Sequence, residues 1–198
     1  ICDSIIAVNK DVSFGIRAYG TQYPSQDKNC TDTRLEMPFT NANNIHLLKH
    51  KAKQIRAFGY SPIAYSLQVA AEQDFQYSDD YSYSIILITD GGESCGGDIC
   101  KVMETLINKK IAFKPYIISL LKDQMLETQF KCMGEYLSVT NDDEIKTAIT
   151  KIIGDNKKIL ENNIKTGNIS HSYMFIGKSG IGKFMLAKEF AKAILCTS

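Results

Sequence analysis

The chain has 198 residues, 44% of them hydrophobic and 23% charged, which is enough to bury a globular core and differs from the composition of a disordered segment. It contains no run of about 18 apolar residues that could form a transmembrane helix, and no signal peptide is visible at its start. The formal net charge of +1 conceals a division, because residues 1–150 carry a net charge of −4 and residues 151–198 a net charge of +5. We therefore predict two parts, 1–151 and 152–198.

The first part is predicted to alternate strands and helices. Strands are predicted at residues 11–20, 34–38, 84–89, 112–120 and 135–139. Helices are predicted at residues 44–56, 62–75, 99–109, 126–133 and 142–153. The strands at 84–89 and 112–120 are continuous apolar runs, typical of strands buried on both faces. The pattern therefore predicts an α/β fold with a doubly wound, mostly parallel sheet.

The second part is predicted to be a separate β-loop-α unit. A break at residues 154–156 precedes a short helix at 157–165 and a strand at 172–176. A glycine-rich loop at 177–182 and a helix at 183–196 follow the strand.

Two cysteines, Cys95 and Cys100, lie five positions apart in a glycine-rich loop. The glycines would let the two sulfur atoms meet, so a local disulfide is predicted as one possibility. Free thiols and a metal site remain the alternatives. A disulfide would place this part outside the reducing cytosol.

Two oxygen-bearing side chains are expected at the carboxyl edge of the sheet. Ser61 precedes a predicted helix, and Asp90 follows the apolar strand at 84–89. A hydroxyl and a carboxylate are hard ligands suited to Mg²⁺ or Mn²⁺. The alternative is that Ser61 is a helix N-cap and Asp90 a turn residue.

Several spaced motifs resemble a von Willebrand factor type A domain, in particular its bacterial branch near the calcium-activated chloride channel-like proteins. They occupy residues 15–20, 30–33, 59–64, 85–91 and 93–98. The resemblance implies a metal-ion-dependent adhesion site, in which three loops hold a divalent cation and the cation binds a carboxylate of a protein partner. It also implies a non-catalytic protein-binding module, with Asp90 in the third loop and Ser61 where the family usually has Thr.

The first loop of that family, an Asp-x-Ser-x-Ser run, has no counterpart here, because the residues 3–6 do not match it. We expect the chain to be cut at both ends and the sheet to lack its first, central strand. We also expect the chain alone to bind divalent metal poorly.

The segment from Gly177 to Lys183 matches the phosphate-loop pattern G-x-x-x-x-G-K between an apolar strand and a helix. Backbone N–H groups of such a loop approach phosphate, and Lys183 would reach the terminal phosphates of ATP or another nucleotide. The predicted nucleotide-binding residues are Gly177, Ser179, Gly180, Ile181, Gly182 and Lys183. Phe184 replaces the Ser or Thr that holds Mg²⁺, so we expect no ATP hydrolysis. A glycine-rich turn with a surface lysine is the alternative.

Residues 152–154, 169–177 and 186–196 resemble the start of a DNA polymerase III clamp-loader delta-prime subunit. The resemblance implies a fragment of a P-loop domain of the AAA+ class, the other clamp-loader subunits as partners, and DNA replication in the cytoplasm. Cys196 would match the first cysteine of a small zinc module whose other ligands are absent here.

Three interpretations follow. The chain is a partner-binding module, which the cysteine pair would place in the cell envelope or outside the cell. It is a cytoplasmic clamp-loader component. Or it is an artefactual fusion of two gene fragments without a joint function.

Overall fold

Six strands form one sheet in the computed structural model, which describes residues 12–41, 45–56, 58–76, 81–108, 112–166 and 169–176. The strands are β1 (Val12–Tyr19), β2 (Thr33–Asn41), β3 (Tyr81–Thr89), β4 (Ala112–Ser119), β5 (Glu135–Ser138) and β6 (Ile169–Ile176). Their spatial order is β2-β1-β6-β3-β4-β5. The β1–β2 pair is antiparallel, and all other neighbours are parallel.

Five α-helices accompany the sheet in the described residues. They are α1 (Ile45–Gln54), α2 (Ile63–Val69), α3 (Ile99–Asn108), α4 (Gln124–Phe130) and α5 (Asp142–Thr166). A π-helical turn, Ala70–Asp74, continues α2, and a 3₁₀ turn covers Ser25–Asp27. Among these residues, no helix is both long and apolar enough to span a bilayer.

Helices cover both faces of the sheet. One core lies under α1 and α5, where Ile86 and Ile88 of β3 pack near Ile149. The other lies under α2, α3 and α4, where Ile85 and Leu87 of the same strand are fully buried. Because successive side chains of a strand point to opposite faces, the run from Ile85 to Ile88 of β3 is apolar at every position and contributes to both cores. This confirms a mixed α/β fold with a mostly parallel sheet.

Several predicted elements differ from the structure, among them β2, which extends to Asn41, and β6, which begins at Ile169. The helix α5 runs without interruption through Gly154, where a break was predicted. A glycine costs only about 1 kcal/mol relative to alanine inside a helix, and the buried Ile149 and Ile152 hold the preceding turns on the core. The strand β3 begins three residues earlier than predicted because Tyr83 packs on Phe75, with ring centroids 4.5 Å apart.

The strand from the C-terminal part occupies the centre of the sheet. We expected the sheet to lack a central member, but β6 lies between β1 and β3 and pairs with both. The predicted boundary between residues 151 and 152 falls inside α5. Residues 1–11 and 177–198 lie outside the described part of the chain.

A buried ion pair ties β1 to the helical layer. Nε of Arg17 donates to Asp74 Oδ2 at 2.7 Å and Nη2 donates to Oδ1 at 2.9 Å, with both side chains 4% exposed. Asp74 ends the π-helical turn, so the two hydrogen bonds fix that turn against the β1 strand. Two parallel bonds between guanidinium and carboxylate also fix the relative orientation of the two groups.

The substitution Asp74→Asn should lower the free energy of unfolding by about 3–5 kcal/mol, because it leaves the Arg17 charge buried without its carboxylate. Denaturant unfolding followed by far-UV circular dichroism measures the change. The matched control is Asp143→Asn, which breaks an exposed pair with Lys146 and should cost no more than about 1 kcal/mol. Equal losses in the two variants would contradict the structural role of the Arg17–Asp74 pair.

Candidate functional site at the carboxyl edge of the sheet

The structure brings Ser61 and Asp90 to the same edge of the sheet. Ser61 lies two residues before α2 and is 5% exposed, and Asp90 directly follows β3, with its Oδ1 atom buried. The loops that carry them contact each other, because the N–H of Ser61 donates to Ser94 Oγ at 2.6 Å and the N–H of Ser94 donates to the Ser61 carbonyl at 3.2 Å. We call the loops at residues 20–32, 59–62 and 90–98 the carboxyl edge.

The alternative role of Ser61 as a helix cap is not what the structure shows. Pro62 occupies the N-cap position of α2 and makes no side-chain hydrogen bond there. The first turn is capped from another loop instead, because Glu93 Oε2 accepts the N–H of Ala64 at 2.7 Å. Glu93 Oε1 accepts the N–H of Cys95, also at 2.7 Å. No local pattern predicts this role for Glu93, since the helix it caps begins thirty residues earlier in the chain.

Close packing joins the loop after β3 to α2. A Cβ atom added to Gly97 would lie 2.5 Å from the Cβ of Ala64, closer than two carbon atoms can approach. Glycine is therefore required at residue 97 for the loop to reach the helix.

The loop after β1 is held by a buried carboxylate. Asp32, 1% exposed, accepts the backbone N–H groups of Gln22 and Tyr23 at 2.9 and 3.1 Å. Gly20 adopts a φ of 63°, and a Cβ atom there would clash with the carbonyl oxygen of Tyr60. Both the left-handed conformation and the close contact favour glycine.

The described residues contain two disulfides, and their pairing differs from the predicted one. Cys95 pairs with Cys30, and Cys100 pairs with Cys132; both Cα–Cα distances are 5.5 Å. The predicted local pair Cys95–Cys100 is therefore wrong. The helix α3 begins at Ile99 and carries Cys100 beside the end of α4, whereas Cys95 stays in the loop.

The disulfides contribute to stability as well as to loop geometry. Their sequence separations are 65 and 32 residues, for which the chain-entropy model gives a stabilisation of about 4 kcal/mol each. The Cys30–Cys95 bond connects the loop after β1 to the loop after β3, so it fixes two of the three loops of the carboxyl edge to each other.

The carboxyl edge carries acidic charge close to a buried phenol. The Tyr19 hydroxyl donates to the Ile88 carbonyl at 3.3 Å. Burial raises the pKa of Tyr19, and the negative charges of Asp90 and Glu93 raise it further. The phenol is therefore neutral at physiological pH and serves as a hydrogen-bond donor, not as a base.

The edge offers few ligands for a divalent cation. No group of three or more His, Cys, Asp or Glu side chains suited to a metal occurs in the described part of the chain. The carboxylate of Glu93 is engaged by two backbone N–H groups, which leaves the Ser61 hydroxyl and the Asp90 carboxylate as the predicted ligands. Mg²⁺ takes about six oxygens, so two side chains fit a cation only if other molecules supply the remaining ligands.

A groove of about 500 Å³ extends from the carboxyl edge between α2 and α3. Its lining includes Gly97 and Asp98 of the edge, Lys101 of α3 and Glu72 of the π-helical turn. Tyr65, 38% exposed, also contributes to its wall. The groove therefore combines an aromatic ring with charges of both signs.

The predicted nucleotide-binding residues 177–183 lie outside the described residues, as do Cys2 and Cys196. The structure describes the backbone of β6, which ends at Ile176, directly before this segment.

Comparisons with known proteins found one family match and one curated relative. The sequence model of a family described as DNA polymerase III, delta subunit, matches residues 154–198. A Bacillus subtilis (strain 168) protein, "Uncharacterized protein YwmD", is 28% identical over 110 residues. That alignment covers 53% of this chain and 49% of YwmD, so the chain matches about half the length of its relative. No solved structure matches the chain.

We predict that the full chain alone shows no saturable Mg²⁺ binding below millimolar concentrations, because two side chains leave most of the coordination sphere to water. Isothermal titration calorimetry on the metal-stripped protein measures the binding. Asp98→Ala, in the same loop, is the matched control for Asp90→Ala. Micromolar binding that is lost in Asp90→Ala and kept in Asp98→Ala would overturn the prediction.

Proposed function

We propose that the first part of the chain, residues 1–151, is a non-catalytic protein-binding module of the von Willebrand factor A type, whose contact surface is the carboxyl edge and whose sheet includes β6. The observation that carries this proposal is the meeting of the Ser61 and Asp90 loops through the 2.6 Å hydrogen bond from Ser61 to Ser94. In open α/β sheets, ligands bind in the crevice at the carboxyl ends of the strands. Disulfide-braced loops suit this role because they lose little conformational entropy on binding.

A divalent cation would join the partner to the edge. Bound there, it would supply an open position for a carboxylate of the partner, and the Ser61 hydroxyl and Asp90 carboxylate would hold it. Ser61 and Asp90 are the two ligands predicted among the described residues, so a partner carboxylate would add a further ligand, and cation and partner would strengthen each other's binding. Weak binding of the cation by itself is therefore compatible with cation-dependent recognition of an acidic protein.

The two disulfides support a site of action in the cell envelope or outside the cell. Both close long loops, and both attach segments of the carboxyl edge or the helices beside it. Disulfides of this structural kind form and persist in oxidising compartments.

Selection from a phage-displayed library of random peptides in the presence of MgCl₂ tests the protein-binding proposal. Space is open around a Cβ atom at Gly91 of the carboxyl edge and at Gly154 of α5. A side chain can therefore leave the backbone at both positions without a clash at Cβ, and Gly154→Arg is the matched control. We expect selected peptides rich in Asp and Glu, with binding lost in Gly91→Arg and kept in Gly154→Arg. Failure to select peptides, or equal binding by both variants, would count against the proposal.

A second function is supported for the C-terminal part by the family match over residues 154–198. We propose that this part is a clamp-loader-type nucleotide-binding segment related to DNA polymerase III subunits, with other replication proteins as partners. The G-x-x-x-x-G-K segment that follows β6 would bind the phosphates through its backbone and Lys183.

Binding of a fluorescent ATP analogue to the full chain tests this second function, with Lys178→Ala as the matched control for Lys183→Ala. Both lysines lie in the same loop sequence, but only Lys183 occupies the phosphate-contacting position of the motif. We expect binding to be lost in Lys183→Ala and kept in Lys178→Ala, with no hydrolysis above the Lys183→Ala background. Equal effects of the two substitutions would refute a phosphate loop.

The two proposals assign the two parts to different compartments, since clamp loaders act in the reducing cytosol. This difference favours the interpretation that the chain joins two segments of separate origin.

A further inference from the structure

The last described strand of the chain holds the middle of the sheet. β6 pairs with β1 from Val12↔Ser170 to Ala18↔Ile176, and with β3 from Tyr81↔Ile169 to Ile88↔Ile176. β1 and β3 do not pair with each other. Within the described residues, the β1–β2 pair and the β3–β4–β5 unit are therefore joined in the sheet through β6 alone.

Before β6 is added, the two halves of the sheet face each other across a gap one strand wide. The strands that border the gap are buried, with Ile16 and Ala18 of β1 and Ile85 of β3 all at 0% exposure. Backbone N–H and C=O groups along such borders need partners, because leaving them unpaired in a buried position costs free energy. The gap therefore requires an extended segment that forms hydrogen bonds on both sides.

The register defines the kind of strand that fills the gap. In its first half, Ser170 and Ser172 stand beside Ser82 and Ser84 of β3. In its second half, residues 173–176 of β6 stand beside the buried run 85–88 of β3. The occupant is thus a parallel strand of eight residues with a polar first half and an apolar second half.

The strand that fills the gap belongs to the segment of the chain that matches a known family. β6 lies within residues 154–198, which match the DNA polymerase III delta-subunit family, whereas its neighbours in the sheet lie between residues 12 and 89. Main-chain hydrogen bonds supply affinity in strand addition and are tolerant of sequence, because every residue type except proline offers the same donor and acceptor.

We propose that the gap between β1 and β3 is a strand-acceptor site, which the C-terminal segment fills in cis and which a separate peptide with the sequence of β6 can fill in trans. This site lies in the middle of the sheet and is independent of the proposed binding of partners at the carboxyl edge.

The test uses the full chain, cut once so that a peptide can replace β6. A specific protease recognition sequence is inserted after Thr166, and the folded, oxidised protein is cleaved there. A fluorescein-labelled peptide with the sequence of residues 169–176 is then added, and its binding is measured by fluorescence anisotropy and by co-elution in gel filtration. The matched control is the same peptide with Met174→Pro, because the backbone of residue 174 is in register with Ile16 of β1 and with Ile86 of β3.

We expect the cleaved protein to release its C-terminal fragment and to bind the unsubstituted peptide in its place. The Met174→Pro peptide should bind roughly tenfold more weakly or worse, because proline removes an N–H donor and disrupts a central strand. Equal binding of the two peptides, or no binding of the unsubstituted peptide to the cleaved protein, would overturn the proposal.

Discussion

The hydrogen-bond ladders on the two sides of β6 are the interaction on which the rest of the structure depends. They join the β1–β2 pair to the parallel unit of β3, β4 and β5, and these two halves share no other strand pairing. Both cores rely on that connection, since side chains from β1 and β3 contribute to the core on each face of the sheet. Closing the long loops between these strands costs chain entropy, which the two ladders must offset.

The geometry of the carboxyl edge depends on contacts that bridge distant parts of the chain. Glu93 caps α2, Gly97 allows the loop to reach that helix, and the Cys30–Cys95 bond attaches the loop after β1. These contacts place Ser61 and Asp90 on one surface, and the groove between α2 and α3 adjoins that surface.

Much of the fold was predictable because buried strands and amphipathic helices leave strong local patterns. The continuous apolar residues of β3 and the helical spacing in α1 predicted these elements correctly, and the position of Asp90 after β3 placed it at the carboxyl edge. Two predictions were wrong for the same reason. The Cys95–Cys100 pairing and the break at Gly154 were inferred from neighbours in sequence, whereas the start of α3 and the packing of Ile149 and Ile152 decided the outcome.

The sequence by itself determined the fold class and the residues with which each part could bind a ligand. It also showed that the net charge and the family resemblance change near residue 151. Periodicity, apolar runs and motif spacing are local properties, so they can be read from the chain. Only the tertiary structure decided which cysteines pair, that Glu93 serves as a helix cap, and that a strand of the C-terminal part completes the sheet. Each of these depends on groups that are distant in sequence and meet only after folding. A local pattern predicts a strand, but it does not predict which strands will be its neighbours.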